Sequence, residues 1–310
     1  MKISALSSLT IGSIAKEESQ EACCWLLEDA VAIRDLEVQP LLLQAVQEGK
    51  RVGVLGVFFL PGATASLIGP RIANGVADQA PVAARLLEAA TILLLEHQVT
   101  LGQTLLDRNQ QPQSDWFQNA GFDSLISLDL LVYEIENFEI ESFDPALDPS
   151  PVDWVTYADC DPMRFEMVME RTYEGSLDCK MLNGVRCSSD VLAGHRSRGL
   201  SDAWRLMCLD GQDAGCLLLT DDPEKNQCEI VYLGVVPECR GQGLGLVAAC
   251  EAIRLATARR RQRVMLAVDM KNVPAQRVYT EAGFIICAQQ QVQLRIFSNR
   301  IHSAACVDGN

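Results

Sequence analysis

Hydrophobic runs in the second half of the chain are separated by proline and glycine. An apolar run over residues 228–236 predicts a buried strand, which ends at Pro237. Three glycines follow within residues 240–245, and apolar residues then recur at helical spacing over residues 244–259. A second apolar strand is predicted over residues 264–268. The pattern therefore predicts a strand, a glycine-rich loop, a helix and a further strand, in this order.

The elements before this block are also marked by their end residues. A strand is predicted over residues 152–157, and Asp161 with Pro162 marks the start of a helix that extends to about residue 174. A second helix is predicted over residues 188–195. Two apolar runs on either side of Asp210-Gly211 predict a hairpin.

The first half of the chain contains a similar series of elements. Strands are predicted over residues 53–60, 63–72 and 128–135, and a helix over residues 81–97. Between the second strand and the helix, Gly75 is the one glycine. An equivalent glycine-rich loop is therefore missing from the first half.

A short internal repeat links the two halves. Residues 110–122 lie 162 residues before residues 272–284, and the triplet Ala-Gly-Phe ends both segments. At this offset Gln110 replaces Asn272 and Phe117 replaces Tyr279. The repeat predicts that the two halves are copies of one scaffold, the alternative being chance similarity around a common Ala-Gly-Phe turn.

The loop at residues 240–245 has the chemistry of an anion-binding site. Its glycines allow backbone N–H groups to approach an anion closely, and the helix that follows adds the positive end of its dipole. A P-loop would need Lys-Ser or Lys-Thr after the last glycine, but Leu244 and Leu246 flank Gly245 here. The order Arg-Gly-x-Gly-x-Gly also differs from a dinucleotide-binding loop. We therefore expect the loop to bind a pyrophosphate, the alternative being a glycine-rich helix start without a ligand.

Two motifs resemble the signatures of one enzyme superfamily. Arg240, Gly243 and Gly245 match Gln/Arg-x-x-Gly-x-Gly/Ala, the acetyl-CoA loop of the GNAT N-acetyltransferases. Residues 272–284 resemble the second GNAT signature, Asn-x-x-Ala-x-x-x-Tyr-x-x-x-Gly-Phe, at every fixed position. The resemblance covers roughly the last half of the chain. It implies an N-acetyltransferase that uses acetyl-CoA as acyl donor, without a metal.

The resemblance also implies roles for individual residues. Backbone N–H groups of Leu233 and Val235 would bond the pantetheine arm and the thioester oxygen, unless they take part in ordinary sheet pairing. Tyr279 would protonate the leaving thiolate, the alternative being a tyrosine packed on a helix face. The residues expected to bind the cofactor are Leu233, Val235, Arg240, Gly241, Gln242, Gly243, Leu244, Gly245 and Asn272. Arg240 could either bond a phosphate or cap the loop.

The acceptor amine needs a base, because an alkylamine with a pKa of about 10.4 is protonated at neutral pH. Glu229 is a candidate, since strict strand alternation places it on the face of Val231, Leu233 and Val235. Alternatively, Glu229 is a solvent-exposed residue at the end of the strand without a catalytic role. Tyr173 and Asp178 lie on the expected acceptor side, where Asp178 could hold an ammonium group.

The predicted fold class is α+β, with two tandem GNAT-like domains, each a mixed, mostly antiparallel twisted sheet flanked by helices. The arrangement resembles that of the tandem GNAT enzymes. We expect a degenerate domain without a cofactor loop at residues 1–140, a linker at 141–151 and a catalytic domain at 152–310. Between Glu134 and Asp161 the chain has nine acidic residues and no Lys or Arg, which favours an exposed linker.

Composition narrows the class of partner. The formal net charge of −15 disfavours binding to nucleic acid, and no apolar run is long enough for a membrane helix. The 12 cysteines form no CxxC pair and the chain has 3 histidines, so a zinc site is not expected. Apolar neighbours around several cysteines suggest reduced thiols in a cytoplasmic protein.

Three hypotheses for function follow. The first is acetyl transfer to a small-molecule or peptide amine by direct attack in a ternary complex. The second is a non-catalytic acyl-CoA-binding sensor. The third is a homodimer assembled through the first domain. Neither the acceptor nor the length of the acyl group is identified by the sequence.

Overall fold

The computed structural model describes residues 9–14, 40–107, 110–136, 152–179, 182, 188–196 and 201–297. The chain divides into two compact units. Unit 1 comprises Met1–Ile126 and Gln291–Asn310, and unit 2 comprises Ser127–Gln290. The predicted linker at residues 141–151 lies outside the described residues.

Unit 1 contains a sheet and two helices. Its strands are β1 (Leu9–Ser13), β2 (Leu41–Gln47), β3 (Lys50–Leu60), β4 (Thr64–Ile72) and β5 (Leu101–Leu106), and its helices are α1 (Ala80–Glu96) and α2 (Gln111–Asn119). The strands follow the order β1-β2-β3-β4-β5, and β4–β5 is parallel whereas the others are antiparallel. Helix α1 buries Leu86, Leu87 and Leu94 against this sheet. The sheet and α1 thus enclose one hydrophobic core.

Unit 2 has a larger set of elements. They are most of β6 (Ser124–Glu134), then β7 (Val152–Thr156), α3 (Pro162–Tyr173), α4 (Ser188–Arg196), β8 (Arg205–Leu209), β9 (Gln212–Asp222), β10 (Gln227–Val235), α5 (Leu244–Ala258), β11 (Arg263–Asp269), α6 (Val273–Glu281) and the first half of β12 (Ile285–Ile296). Short 3₁₀ turns cover Tyr157–Asp159, Ser201–Ala203 and Pro237–Cys239. The order is β12-β6-β11-β10-β9-β8-β7, and β10 pairs with β11 in parallel.

The ends of these elements follow local chemistry. Asp161 accepts a hydrogen bond from the Met163 N–H at 2.9 Å, and Pro162 occupies the first turn of α3. The hairpin between β8 and β9 turns at Asp210 and Gly211, whose φ values are 50° and 75°. Both features match the sequence-based expectation.

Two strands contribute to both units. Residues 127–134 of β6 belong to unit 2, and residues 291–296 of β12 belong to unit 1, where they pair antiparallel with β5. The compact units therefore differ from the predicted segments 1–140 and 152–310. Each unit includes a strand segment that comes from the other half of the sequence.

The internal repeat is visible in the structure of the two short helices α2 and α6. The N–H of Phe122 donates to the Phe117 carbonyl, and the N–H of Phe284 donates to the Tyr279 carbonyl, at 3.0 and 2.9 Å. The preceding glycines have φ values of 84° and 91°, a conformation that favours glycine. Edge-to-face ring contacts join Phe117 to Phe122 and Tyr279 to Phe284. The repeated sequence therefore forms the same local structure twice.

The helices of the described part of the chain are short or amphipathic. None of them is both long and apolar enough to span a membrane.

Candidate active site

Strands β10 and β11 separate in the middle of unit 2. Their parallel pairing includes Gln227–Ile230 on β10 and Arg263–Leu266 on β11, whereas the pairing of β10 with β9 continues to Val235. The N–H of Val236 donates to Ala214 on the β9 side at 2.9 Å. Because successive N–H groups of a strand alternate, those of Leu233 and Val235 face the side from which β11 has departed.

A bulge in β10 changes the faces of its side chains. The pairing register with β9 shifts between Ile230 and Tyr232. Consequently Ile230 and Leu233 pack against the same core cluster, which includes α5, whereas Val231 and Tyr232 both pack against the cluster that includes α3. The expectation that Glu229 shares a face with Leu233 and Val235 is therefore wrong, because it assumed unbroken alternation. Glu229 lies before the bulge, where β10 is still paired with β11.

The loop of residues 240–245, which we call the cofactor loop, leaves open space for an anion. Gly241 and Gly243 have φ values of 76° and 79°, and a Cβ placed on either residue would meet no atom within 4 Å. Helix α5 begins at Leu244 without a side-chain cap. Its first N–H groups and its dipole therefore face this space, as the site of a pyrophosphate requires.

Side chains of the cofactor loop fix its conformation. Arg240 donates from Nε to the Val235 carbonyl and from its guanidinium to the Thr172 carbonyl, both at 3.0 Å. Gln242 donates to the Glu238 carbonyl at 3.2 Å. Of the two roles that the sequence left open for Arg240, these contacts support capping of the loop. At Gly245 helix α5 approaches α6 closely, since a Cβ there would lie 3.3 Å from a methyl group of Val278.

A cavity of about 490 Å³ joins the cofactor loop to the gap between β10 and β11. Its walls come from β10, the start of α5, the start and inner face of α6, and the loop after α3. Among the residues predicted for the site, its lining includes Leu233, Val235, Arg240, Gly241, Gly243, Leu244, Gly245, Asn272, Asp178 and Tyr279. This size lies within the usual range for small-molecule sites. Gln242, Tyr173 and Glu229 are not part of the lining.

Tyr279 lines this cavity and is 8% exposed. Burial raises the pKa of its hydroxyl, and the nearby carboxylate of Asp178 raises that pKa further. The phenol therefore keeps its proton at neutral pH and can donate it to an atom inside the cavity.

Asp178 and Asn272 connect the loop after α3 to the start of α6. Asn272 accepts a hydrogen bond from the Ala275 N–H at 3.3 Å and so caps α6. Its side chain also bonds to Asp178, which accepts a further hydrogen bond from the Asp269 N–H at 3.4 Å. Desolvation raises the pKa of Asp178, and the negative charge of Asp269 adds to this effect, although the two hydrogen bonds oppose it.

Comparison with known proteins gives a family for the region that forms this cavity. The family described as "Acetyltransferase (GNAT) family" matches residues 173–284. Residues 173–284 therefore match a GNAT acetyltransferase domain, and we call this region the GNAT domain. The matched residues begin in the last turn of α3 and end just before β12, so they include the whole cofactor loop.

The curated relatives of the GNAT domain match over a short segment. A mycothiol acetyltransferase of Acidothermus cellulolyticus is 43% identical over 56 residues, which are 18% of this chain and 17% of that protein. One of Stackebrandtia nassauensis is 46% identical over 56 residues, which are 18% of each chain. The match thus spans about a fifth of the length of these relatives.

Solved structures show the fold of the whole chain. A GCN5-related N-acetyltransferase from Sphaerobacter thermophilus aligns over 94% of this chain and 96% of its own, at 16% identity and a TM-score of 0.60. A tandem GNAT protein from the clavulanic acid biosynthesis pathway aligns over 93% and 98%, at 15% identity and a TM-score of 0.52. The predicted fold class of two tandem GNAT-like domains is therefore confirmed.

Several residues of the cavity were not predicted from the sequence, and two of them carry hydroxyl groups that lie close together. Tyr232 and Thr172 both line it, and their hydroxyl oxygens lie 2.5 Å apart. The ring of Tyr173 contacts that of Tyr232 edge-to-face, with centroids 5.4 Å apart. Burial raises the pKa of Tyr232 well above its ordinary value. An aromatic residue inside an apolar strand predicts core packing, so nothing in the sequence marked Tyr232 as part of a cavity.

Proposed function

We propose that the GNAT domain transfers an acetyl group from acetyl-CoA to a small-molecule or peptide amine by direct attack in a ternary complex. One observation carries the proposal: the cofactor loop, the residues of β10 with outward N–H groups and Tyr279 all line a single cavity. The family match of residues 173–284 supports acetyl transfer as the type of reaction.

The residues that would hold acetyl-CoA are those whose geometry fits its parts. The cofactor loop offers N–H groups and open space to the pyrophosphate. Leu233 and Val235 offer outward N–H groups to the pantetheine arm and the thioester oxygen. Acetyl-CoA supplies an activated acyl group when bound. A backbone donor aimed at a developing oxyanion contributes about 3–4 kcal/mol to such reactions.

Tyr279 would hold the proton that a departing thiolate requires. Its raised pKa keeps the hydroxyl protonated, and the thiol of the product has an ordinary pKa of about 8.5. Proton transfer from the phenol to sulfur is therefore uphill in free solution and would depend on the position of Tyr279 in the cavity. Glu229 stays the sequence-based candidate for the base, although it lies outside the cavity lining.

We assign the reaction to residues 152–310 and a structural or acceptor-shaping role to residues 1–140. In the first half Phe117 occupies the position of Tyr279 and has no proton to donate. Helix α1 begins after Gln79, which has ordinary right-handed backbone angles, and no glycine loop precedes it. These features support one reaction site in the chain.

The purified chain and a panel of primary amines test this function. We expect acetyl-CoA to bind, and CoA to be released only when a suitable amine is present. The panel should include an alkylamine, an amino sugar, a peptide N-terminus and a lysine peptide. Tight binding without amine-dependent release across this panel would favour the acyl-CoA sensor. Absence of binding would contradict both.

A further inference from the structure

The loop after α3 places one carboxylate, which is solvent-exposed, in the wall of the cavity. This loop, residues 174–179, turns at Gly175, which has a φ of 62°, and Asp178 follows three residues later. Asp178 lines the same cavity as Tyr279. Its negative charge is one of the causes that raise the pKa of Tyr279, so the two groups interact directly through space.

The surroundings of Asp178 fix its position. The N–H of Asp269 on β11 donates to Oδ1 at 3.4 Å, and the side chain of Asn272 at the start of α6 bonds to the carboxylate. Within the loop, the N–H of Asp178 donates to Ser176 Oγ at 3.1 Å. The carboxylate is therefore held from β11 and α6, the two elements that flank the expected acyl group.

The charges around Asp178 favour a cation beside it. Among the described residues, the titratable groups that interact with it are the carboxylate of Asp269 on β11, the phenol of Tyr279 on α6 and the phenol of Tyr232 on β10. All three are acids, and none supplies a positive charge. A cation that entered the cavity would relieve the repulsion between Asp178 and Asp269.

Glu229, the other candidate for the base, does not line the cavity that Asp178 lines. It lies before the bulge of β10, opposite Met265 on β11. Among the predicted site residues, Asp178 is the carboxylate that shares the cavity with Tyr279.

We propose that Asp178 binds the ammonium form of the acceptor and takes its proton, so that the domain acts on amines that are cationic at neutral pH. This inference rests on the proposed acetyl transfer and adds the class of acceptor and the identity of the base.

The protons and electrons balance in this scheme. The ammonium group gives one proton to the Asp178 carboxylate, which returns it to solvent. The neutral nitrogen then forms a bond to the thioester carbonyl carbon, and the carbon–sulfur bond breaks with its electron pair on sulfur. Tyr279 gives its proton to that sulfur and recovers one from the new amide nitrogen. The net products are the amide, free thiol and one proton.

Binding of a probe pair gives a test that does not depend on turnover. The probes are 2-phenylethylamine, a cation at pH 7, and 2-phenylethanol, a neutral analogue of similar shape, titrated by calorimetry into the full chain with CoA present. We expect the wild type to prefer the amine at least tenfold and Asp178→Asn to lose this preference. Glu174→Gln is the matched control, since Glu174 is an exposed acid on the same loop outside the cavity lining.

Activity against pH gives the second readout. With an amine that the wild type acetylates, Asp178→Asn should lower kcat/KM at pH 7 by about 10² to 10⁴-fold. The defect should shrink as pH approaches the pKa of the amine, because solvent then supplies neutral amine. Glu174→Gln should retain most of the activity.

The outcomes of these experiments show whether the role of Asp178, the proposed acetyl transfer, or both are wrong. If the wild type releases CoA with amines but Asp178→Asn is equally active, the inference is wrong and the proposed function stands. Equal affinity of the wild type for the two probes, or binding of neither, would also contradict the inference. If the wild type releases no CoA with any amine, the proposed function and the inference are both wrong.

Discussion

Arg240 in the cofactor loop donates a hydrogen bond to the carbonyl of Thr172 in the last turn of α3, at 3.0 Å. The same side chain bonds the carbonyl of Val235 at the end of β10. A loop that is expected to hold a pyrophosphate is thus attached to the helix that leads into the Asp178 loop. This contact makes the shape of the cofactor loop depend on α3.

Arg240→Ala should weaken acetyl-CoA binding more than it weakens the fold. The variant loses both hydrogen bonds, so the loop samples conformations in which its N–H groups diverge. We expect at least a tenfold higher Kd by calorimetry and a loss of about 1 kcal/mol in the free energy of unfolding. Arg277→Ala is the control, because Arg277 is exposed on α6 outside the cavity lining. Equal Kd values for the two variants would refute this role of Arg240.

Gly243→Ala should reduce acetyl-CoA affinity through backbone strain and a methyl group in the anion site. Gly243 has a φ of 79° and open space around it, and Gly211 in the β8–β9 turn has a φ of 75° and the same open space. Each substitution should lower the free energy of unfolding by about 1 kcal/mol. Acetyl-CoA affinity measured by calorimetry should fall for Gly243→Ala alone. A similar fall for Gly211→Ala would show that general destabilisation explains the effect.

Gly215→Ala should strongly destabilise unit 2. A Cβ at Gly215 on β9 would overlap the carbonyl oxygen of Gly234 on β10 and lie 2.8 Å from Met207 Cε. The strands would have to separate next to the cavity, so we expect a loss of about 3 kcal/mol in urea unfolding. Gly75→Ala is the control, as a Cβ there meets nothing within 4 Å. A change below 1 kcal/mol in Gly215→Ala would mean that this close approach of β9 and β10 is absent in solution.

The separation of β10 from β11 was predictable from the motif. Which side chains of β10 share a face of the sheet was not predictable. The proline and glycines after residue 236 marked the end of the strand and the start of α5 within one residue. The bulge near Val231 leaves no mark in the sequence, because it arises from pairing with β9, which lies elsewhere in the chain. This is why the side chain of Glu229 was assigned to the wrong face.

Long-range pairing also limited what could be predicted for other parts of the chain. The repeat at residues 110–122 and 272–284 predicted two copies of the scaffold, and both copies are present. Strand β6 adds residues to unit 2, and β12 adds residues to unit 1. Both depend on pairing partners that are far away in the sequence. Likewise, the bond between Asp178 and Asn272 joins residues of two different elements, and spacing alone does not bring them together.

The stability of unit 2 should fall at alkaline pH, in part through Cys228. Burial raises the pKa of this thiol to about 12, and the charge of Asp221 contributes. A pKa raised on folding stabilises the fold fully below the unfolded pKa of about 8.5, and this contribution is lost as pH rises towards 12. Cys228→Ala should therefore lose less free energy of unfolding than the wild type between pH 7.5 and 10. The exposed Cys287→Ala should match the wild-type slope; if Cys228→Ala also matches it, this assignment is wrong.

Amine-dependent release of CoA by the wild type, Tyr279→Phe and Tyr133→Phe tests the central claim most directly. Both substitutions remove one hydroxyl, and both rings pack on Phe284, but of the two tyrosines Tyr279 lines the cavity and Tyr133 does not. We predict that Tyr279→Phe lowers kcat by about 10²-fold or more, with acetyl-CoA affinity nearly unchanged, and that Tyr133→Phe remains active. Full activity of Tyr279→Phe, or equal losses in the two variants, would contradict the account.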